Sequence, residues 1–167
     1  MDCKETRNWL HGYLDHELDL AMREADVAIR LRQPQQPDLI QRKLFSMHFH
    51  AYASPEYLKI NGTPRAVEEL DHHRILVLGG ATATYLQDVH WLTKIGRDGK
   101  DGRVPRFVIN NVLGLLRACQ RGLGVAMLPD YLVEEDGGLV QLFGTGDGVA
   151  FEVFFVYPEE LKSVAHV

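Results

Sequence analysis

The stretch INNVLGLLRACQRGLGVAMLP, from Ile109 to Pro129, decides the fold of this chain. With Phe107 and Val108 before it, the stretch predicts a strand, then a helix, then a second strand over residues 125–128. A strand, a helix and a strand in this order predict a βαβ unit with a right-handed crossover. The helix is indicated by apolar residues at helical spacing on one stripe, namely Val112, Leu115, Leu116 and Cys119.

The glycines that follow this helix argue against a nucleotide site. Gly122-Leu123-Gly124 resembles part of a dinucleotide-binding motif, but in that motif the glycines follow a strand and precede a helix. In this chain they end a helix and precede a strand. Gly122 is therefore predicted to end the helix in the left-handed conformation, and no cofactor is expected.

The rest of the chain also alternates between helical and extended segments. A helix is predicted over residues 15–25, and Ser54 with Pro55 predicts the start of another. This alternation predicts an α/β fold with a largely parallel sheet. The extended segments at 39–53 and 125–129 are predicted to cross between two lobes. The predicted strands cover residues 27–29, 39–53, 75–78, 107–109, 125–128, 139–142 and 153–157.

Composition excludes several classes of protein. The chain has 167 residues, a net charge of −5 and 46 % hydrophobic residues, which is typical of a globular protein and not of a nucleic-acid-binding surface. Two cysteines, Cys3 and Cys119, are too few for a disulfide framework. The start of the chain has no secretory signal, and no window reaches the roughly 18 apolar residues of a membrane span. We therefore expect a soluble, cytoplasmic protein.

Catalytic and metal-binding chemistry finds little support in the sequence. Four histidines occur in two pairs, but neither an HExxH motif nor cysteine ligands accompany them. None of the three serines lies in a G-x-S-x-G elbow. Solvent-facing or hydrogen-bonded imidazoles are the favoured interpretation, so we expect no catalytic residues, no metal site and no enzyme. The histidines are His48, His50, His72 and His73.

Asn110 and Asn111 are the candidate binding residues. They stand between a predicted strand and a predicted helix, where asparagine is a good N-cap. A helix N-terminus offers unpaired backbone N–H groups and a partial positive charge, and open α/β sheets bind ligands beyond the strand ends. Two hypotheses remain open at this point. Asn110 either only caps the helix, or the same helix end also binds a ligand.

Several segments together resemble the effector-binding domain of LysR-type transcriptional regulators. The resemblance covers roughly residues 15–160 in consistent order and spacing. It implies a periplasmic-binding-protein-like α/β fold, with two Rossmann-like lobes joined by two crossing strands and a small, anionic metabolite bound between the lobes. The matching segments are ADVAIRL at 25–31, ASPEYL at 53–58, GTPR at 62–65, ELDHHR at 69–74, GLGVAMLPDYL at 122–132 and FVYP at 155–158.

The resemblance also assigns lobes and residues. Residues 1–50 with 130–167 would form the first lobe, which would be incomplete, and residues 51–129 the second. Leu31, Asn110 and Asn111 would face the ligand; Leu31 is apolar where some members of the family carry a hydroxyl.

The family's helix-turn-helix has no counterpart in this chain, so contact with DNA is expected only through such a domain elsewhere. The resemblance implies homodimers or homotetramers of the full regulator. A free-standing solute-binding protein of the same fold is the alternative.

Overall fold

The computed structural model describes residues 27–31, 39–79, 90–97, 101–144, 146 and 148–163. The helix predicted over residues 15–25 lies outside these residues. The helices are α1 (Pro55–Asn61), α2 (Trp91–Lys94), α3 (Val112–Gln120) and α4 (Asp130–Asp136), with 3-10 helices at Val67–His72 and Glu159–Ser163. The strands are β1 (Ala28–Arg30), β2 (Leu39–Ala53), β3 (Ile75–Leu78), β4 (Phe107–Ile109), β5 (Val125–Pro129), β6 (Val140–Gln141) and β7 (Val149–Pro158).

The predicted strands are present, several of them with the predicted limits. β2, β3 and β4 begin and end where the sequence placed them, and β5 extends one residue further, to Pro129. β7 begins at Val149 instead of residue 153, and β6 is shorter than predicted. Short apolar runs bounded by Gly, Pro or Asn therefore located the strands well.

The chain divides into two compact units, of which the larger is residues 48–150. In this unit β3 pairs in parallel with both β4 and β5. The prediction of a largely parallel sheet is wrong at β2, whose residues 49–52 run antiparallel to β5. β6 also pairs antiparallel with β2. The sheet is mixed because β2 runs antiparallel to β5, whereas β3 is parallel to both of its neighbours.

The smaller unit comprises residues 1–47 and 151–167. In its described part, β1 pairs antiparallel with β7, with Ala28 opposite Val156. Ala28, Leu39, Phe154 and Val156 form a buried apolar cluster. Residues 42–46 in β2 are exposed on both faces of the strand.

β2 and β7 each contain residues of both units, since the unit boundaries fall at 47/48 and 150/151. β5, which the sequence suggested as the second crossing segment, lies wholly within residues 48–150. The division of the chain into ligand-binding lobes at 50/51 and 129/130 stays a prediction.

The turn residues take the roles that the sequence predicted. The Ser54 hydroxyl caps α1 by accepting a hydrogen bond from the backbone N–H of Tyr57 at 3.2 Å, and Pro55 is the first helical residue. The 3-10 helix that follows Ala66 has no side-chain cap. Gly122 ends α3 with φ +74°, a left-handed conformation that glycine adopts without a steric penalty.

Candidate functional site

The candidate site lies at the carboxyl ends of the three parallel strands of the larger unit. β3 ends at Leu78 and β4 at Ile109, and these two residues are paired. Asn110 and Asn111 follow Ile109 directly, and both are exposed. The structure therefore brings the two predicted asparagines together at the edge of the sheet where open α/β folds bind ligands.

Asn111, not Asn110, caps α3. Its Oδ1 accepts a hydrogen bond from the backbone N–H of Gly114 at 2.9 Å, and its backbone is extended, with φ −133° and ψ 126°. Its carbonyl accepts from the N–H of Leu115 at 3.0 Å, which starts the helical hydrogen-bond pattern. The first turn contains no acidic residue. The partial positive charge of this helix end is therefore not neutralised by a side chain of its own turn.

Gly114 lets the end of β4 pack closely on the start of α3. A Cβ at this glycine would lie 2.4 Å from Cδ1 of Ile109 and 3.8 Å from Oδ1 of Asn111. The Ile109 side chain consequently occupies the space that a side chain at position 114 would need. The end of β4 and the start of α3 are therefore in close contact.

The helix behind the two asparagines is held at both ends. Its predicted apolar stripe is buried: Val112, Leu115, Leu116 and Cys119 are at most 6 % exposed. At its C-terminus the N–H of Gly122 donates to the carbonyl of Cys119, and the N–H of Leu123 donates to the carbonyl of Ala118. This pair of hydrogen bonds is the Schellman pattern of a glycine-terminated helix. The helix N-terminus is thus presented by a rigid element.

Leu31, the third predicted ligand-facing residue, follows β1 directly and is half-exposed. It belongs to the smaller unit, whereas the two asparagines belong to the larger one. Its role as a ligand contact stays a prediction.

The sequence did not reveal a polar cluster formed by His50, Tyr52 and Asp130. Nδ1 of His50 lies 2.8 Å and 3.0 Å from the two carboxylate oxygens of Asp130, and the Tyr52 hydroxyl donates to Oδ1 at 2.9 Å. Burial, and next the hydrogen bond to Asp130, raise the pKa of Tyr52, so this hydroxyl stays a neutral donor at neutral pH. The alternation along β2, which places His50 and Tyr52 on one face, was the available signal.

Two of the four candidate histidines hydrogen-bond within the fold. His73 contacts the hydroxyl of Tyr57, with Nδ1 at 3.1 Å from the oxygen, and His50 contacts Asp130. Among the residues that the structure describes, no three histidine, cysteine, aspartate or glutamate side chains form a group that could hold a metal ion.

Cys119 is fully buried, and burial raises the pKa of its thiol to about 12. Its Sγ donates to the carbonyl of Tyr52 at 3.3 Å. A thiol with so high a pKa is almost entirely protonated and therefore a poor nucleophile and a poor metal ligand. Cys119 thus serves the core and not the candidate site.

Comparison with known proteins identifies the family. The family model described as the LysR substrate binding domain matches residues 13–166. An uncharacterized HTH-type transcriptional regulator of Haemophilus influenzae is 29% identical over 148 residues, which are 86% of this chain and 50% of that protein. The HTH-type transcriptional regulator CrgA of Neisseria meningitidis serogroup C is 32% identical over 120 residues, 71% of this chain and 38% of CrgA. The chain thus spans half or less of the length of these relatives.

Solved structures give the same result for the fold. The regulatory domain of CrgA from Neisseria meningitidis, a LysR-type transcriptional regulator, has a TM-score of 0.70 and 24% identity, with 95% of this chain and 82% of that chain covered. A structure of CrgA itself has a TM-score of 0.69 and 28% identity, with 86% of this chain and 49% of that chain covered. The predicted periplasmic-binding-protein-like α/β fold is therefore confirmed.

Within the described part of the chain, no helix combines the length and the apolar character needed to cross a membrane. The family match covers almost the whole sequence, and the similar proteins are HTH-type transcriptional regulators. The chain belongs to the LysR substrate binding domain family.

Proposed function

We propose that this chain is the effector-sensing part of a LysR-type DNA-binding transcriptional regulator and that it binds a small, anionic metabolite. Asn110 and Asn111 contact the metabolite, and Leu31 contributes an apolar contact. The chain itself has no enzymatic activity. Binding shifts the population of its conformations, and the regulator responds through that shift.

The observation that carries this proposal is the geometry at the start of α3. Asn110 and Asn111 are exposed at the carboxyl end of β4, and the first turn of α3 carries no acidic side chain. Unpaired N–H groups and the helix dipole favour a carboxylate or phosphate at such an end, and each asparagine amide adds donors of its own. The cap formed by Asn111 uses only its carbonyl oxygen, which leaves its amide N–H groups available to a ligand.

The rest of the proposal is supported by the relatives. The similar proteins are HTH-type transcriptional regulators, which favours a regulator over the free-standing solute-binding protein that the sequence left as an alternative. Contact with DNA then occurs through a helix-turn-helix domain outside these 167 residues. The full regulator acts in the cytoplasm as a homodimer or homotetramer.

A double substitution tests the binding site. An anionic effector is first found by thermal-shift screening of small carboxylates and phosphates, and its affinity is then measured for the Asn110→Ala/Asn111→Ala protein. We expect at least tenfold weaker binding, which corresponds to about 1.4 kcal/mol. Asn61→Ala is the matched control, because Asn61 is also an exposed asparagine of the larger unit. It is the last residue of α1, and its Nδ2 donates to the carbonyl of Tyr57. Equal affinities for the double variant and the control would refute the site.

A further inference from the structure

The end of α1 carries the one Asn-Gly pair of the sequence. Asn61 is the last residue of the helix, Gly62 follows it with φ +85°, and both are exposed. The other asparagines of the sequence are followed by tryptophan, asparagine or valine. Glycine has no side chain that could shield its own backbone nitrogen. The surroundings do not shield this position either, because nothing lies within 4 Å of where a Cβ of Gly62 would stand.

An asparagine that precedes a glycine can lose its side-chain amide without an enzyme. The backbone nitrogen of the glycine gives up its proton to the solvent and attacks Cγ of the asparagine. The new C–N bond closes a succinimide ring, the bond between Cγ and Nδ2 breaks, and ammonia leaves. Water then adds to either carbonyl of the ring and opens it, which yields aspartate or isoaspartate. No group is oxidised or reduced, and water is the only co-reactant.

Two hydrogen bonds hold both reacting groups in the folded chain. The backbone N–H of Gly62 donates to the carbonyl of Leu58 at 2.9 Å, so that the attacking nitrogen keeps its proton. Nδ2 of Asn61 donates to the carbonyl of Tyr57, also at 2.9 Å, which directs the amide towards the preceding turn of the helix. Tyr57 is only 1 % exposed, so this acceptor belongs to a firmly held turn. The attack therefore requires that the last turn of α1 opens, as helix ends do by local unfolding.

We propose that Asn61 is a site of spontaneous deamidation and that opening of the last turn of α1 sets the rate of the reaction. The product weakens the same turn. An ionised carboxylate at position 61 has no N–H to donate to the carbonyl of Tyr57, and its negative charge lies at the negative end of the helix dipole. The modification thus leaves the end of α1 less well closed than before. This inference does not depend on an effector or on the proposed binding site.

Peptide mapping of the 167-residue protein, incubated at pH 8 and sampled over time, measures the reaction. Trypsin cleaves after Lys59 and Arg65, so that Asn61 lies alone in the peptide of residues 60–65. Mass spectrometry detects the replacement of its amide by a carboxyl. Asn111, in the tryptic peptide of residues 107–117, is the internal control, because the β-branched Val112 follows it. Asn61 should deamidate faster than Asn111, and more slowly in the folded protein than in guanidinium chloride.

Two substitutions at Ile60 test the role of the helix end. Ile60 is 82 % exposed, so that its replacement alters neither the core nor the reacting pair. Alanine favours the helical conformation and glycine disfavours it. Each folded rate is divided by the rate of the same variant in guanidinium chloride, which removes any direct effect of the neighbouring residue on the chemistry. The ratio should be about threefold higher in Ile60→Gly than in Ile60→Ala.

Three results would overturn the proposal. Equal ratios for Ile60→Gly and Ile60→Ala would show that opening of the last turn does not set the rate. The other two need only the wild-type protein and so stand even if a variant fails to fold. They are an Asn61 that reacts no faster than Asn111, and an Asn61 that reacts as fast in the folded protein as in guanidinium chloride.

Discussion

Oδ1 of Asn111 and the backbone N–H of Gly114 are joined by a hydrogen bond of 2.9 Å, so that one of the two predicted ligand-facing residues is also the cap of α3. Capping and ligand binding can therefore occur together at this helix end. A cap uses the side-chain oxygen, whereas an anionic ligand would use N–H groups. Substitutions that keep the helix cap but disfavour an anion, or that remove the cap, can separate the two roles.

Asn111→Asp should preserve the stability of the protein and weaken the binding of an anion. Aspartate caps a helix as well as asparagine does and interacts favourably with the dipole, but its charge repels an anionic ligand. Asn111→Ala removes the cap and should lower the free energy of unfolding by about 1 kcal/mol. Urea unfolding and effector titration on both variants give the comparison. Undiminished affinity in Asn111→Asp would argue against an anion at this helix end.

The stability of the larger unit should fall as the pH drops below about 6.5, with His73 as one cause. Burial, and to a lesser extent His72, lower the pKa of His73 from its ordinary value of 6.5, and Glu69 opposes them. The unfolded chain therefore binds a proton at a pH where the folded protein still excludes it, and stability is lost between the unfolded and the folded pKa. At pH values above the pKa of His73 in the unfolded chain, the histidine is neutral in both states and this loss of stability is absent.

Urea unfolding at pH 7.5 and at pH 5.5 measures this effect, with His73→Gln as the test variant. The loss of stability between the two pH values should be smaller in His73→Gln than in the wild-type protein. His48→Gln, on an exposed histidine of the same unit, is the control. An identical pH dependence in the wild-type protein and in His73→Gln would contradict the assignment.

The elements that the sequence predicted best are those that depend on contacts between residues close together in the chain. α3 was foreseen from its stripe, its asparagine start and Gly122, and all three lie within a few residues of the contacts they make. The predicted helix cap, Asn110, was one residue too early, since Asn111 caps α3. Either of two adjacent asparagines suits a cap, and only the backbone conformation decides which of them takes that position.

The cluster around Asp130 could not be foreseen in this way. His50 and Asp130 are 80 positions apart in the sequence, and they meet only because β2 and β5 are antiparallel in one particular register. A sequence pattern sets the period of a strand but not its partner, so a shift of one residue would place His50 on the other face. The expectation of a largely parallel sheet was wrong at the same place and for the same reason.

Gly124 is buried, and Gly124→Ala should be among the most destabilising glycine-to-alanine substitutions in the part of the chain that the structure describes. Its Cβ would lie 2.2 Å from the carbonyl oxygen of Arg74, and that oxygen also accepts the N–H of Val125 at 2.8 Å. Because the obstacle is backbone, the strands must move apart, and we expect a loss of about 1–3 kcal/mol. The control is Gly146→Ala, where nothing lies within 4 Å. Equal urea midpoints for the two variants would contradict the close approach.

Cys119 should not react with thiol reagents in the folded protein. With a pKa of about 12, its thiol at pH 8 provides on the order of a thousandfold less thiolate than an ordinary cysteine, and the thiolate is the reacting species. The experiment uses a Cys3→Ser background, so that Cys119 is the single thiol, and follows labelling by an aromatic disulfide with and without urea. Labelling should be complete in urea and should otherwise proceed only as fast as the protein unfolds. Rapid labelling of the native protein would mean that the core between α3 and β2 opens readily. The start of α3, on which the proposed effector site depends, would then not be held in one fixed position.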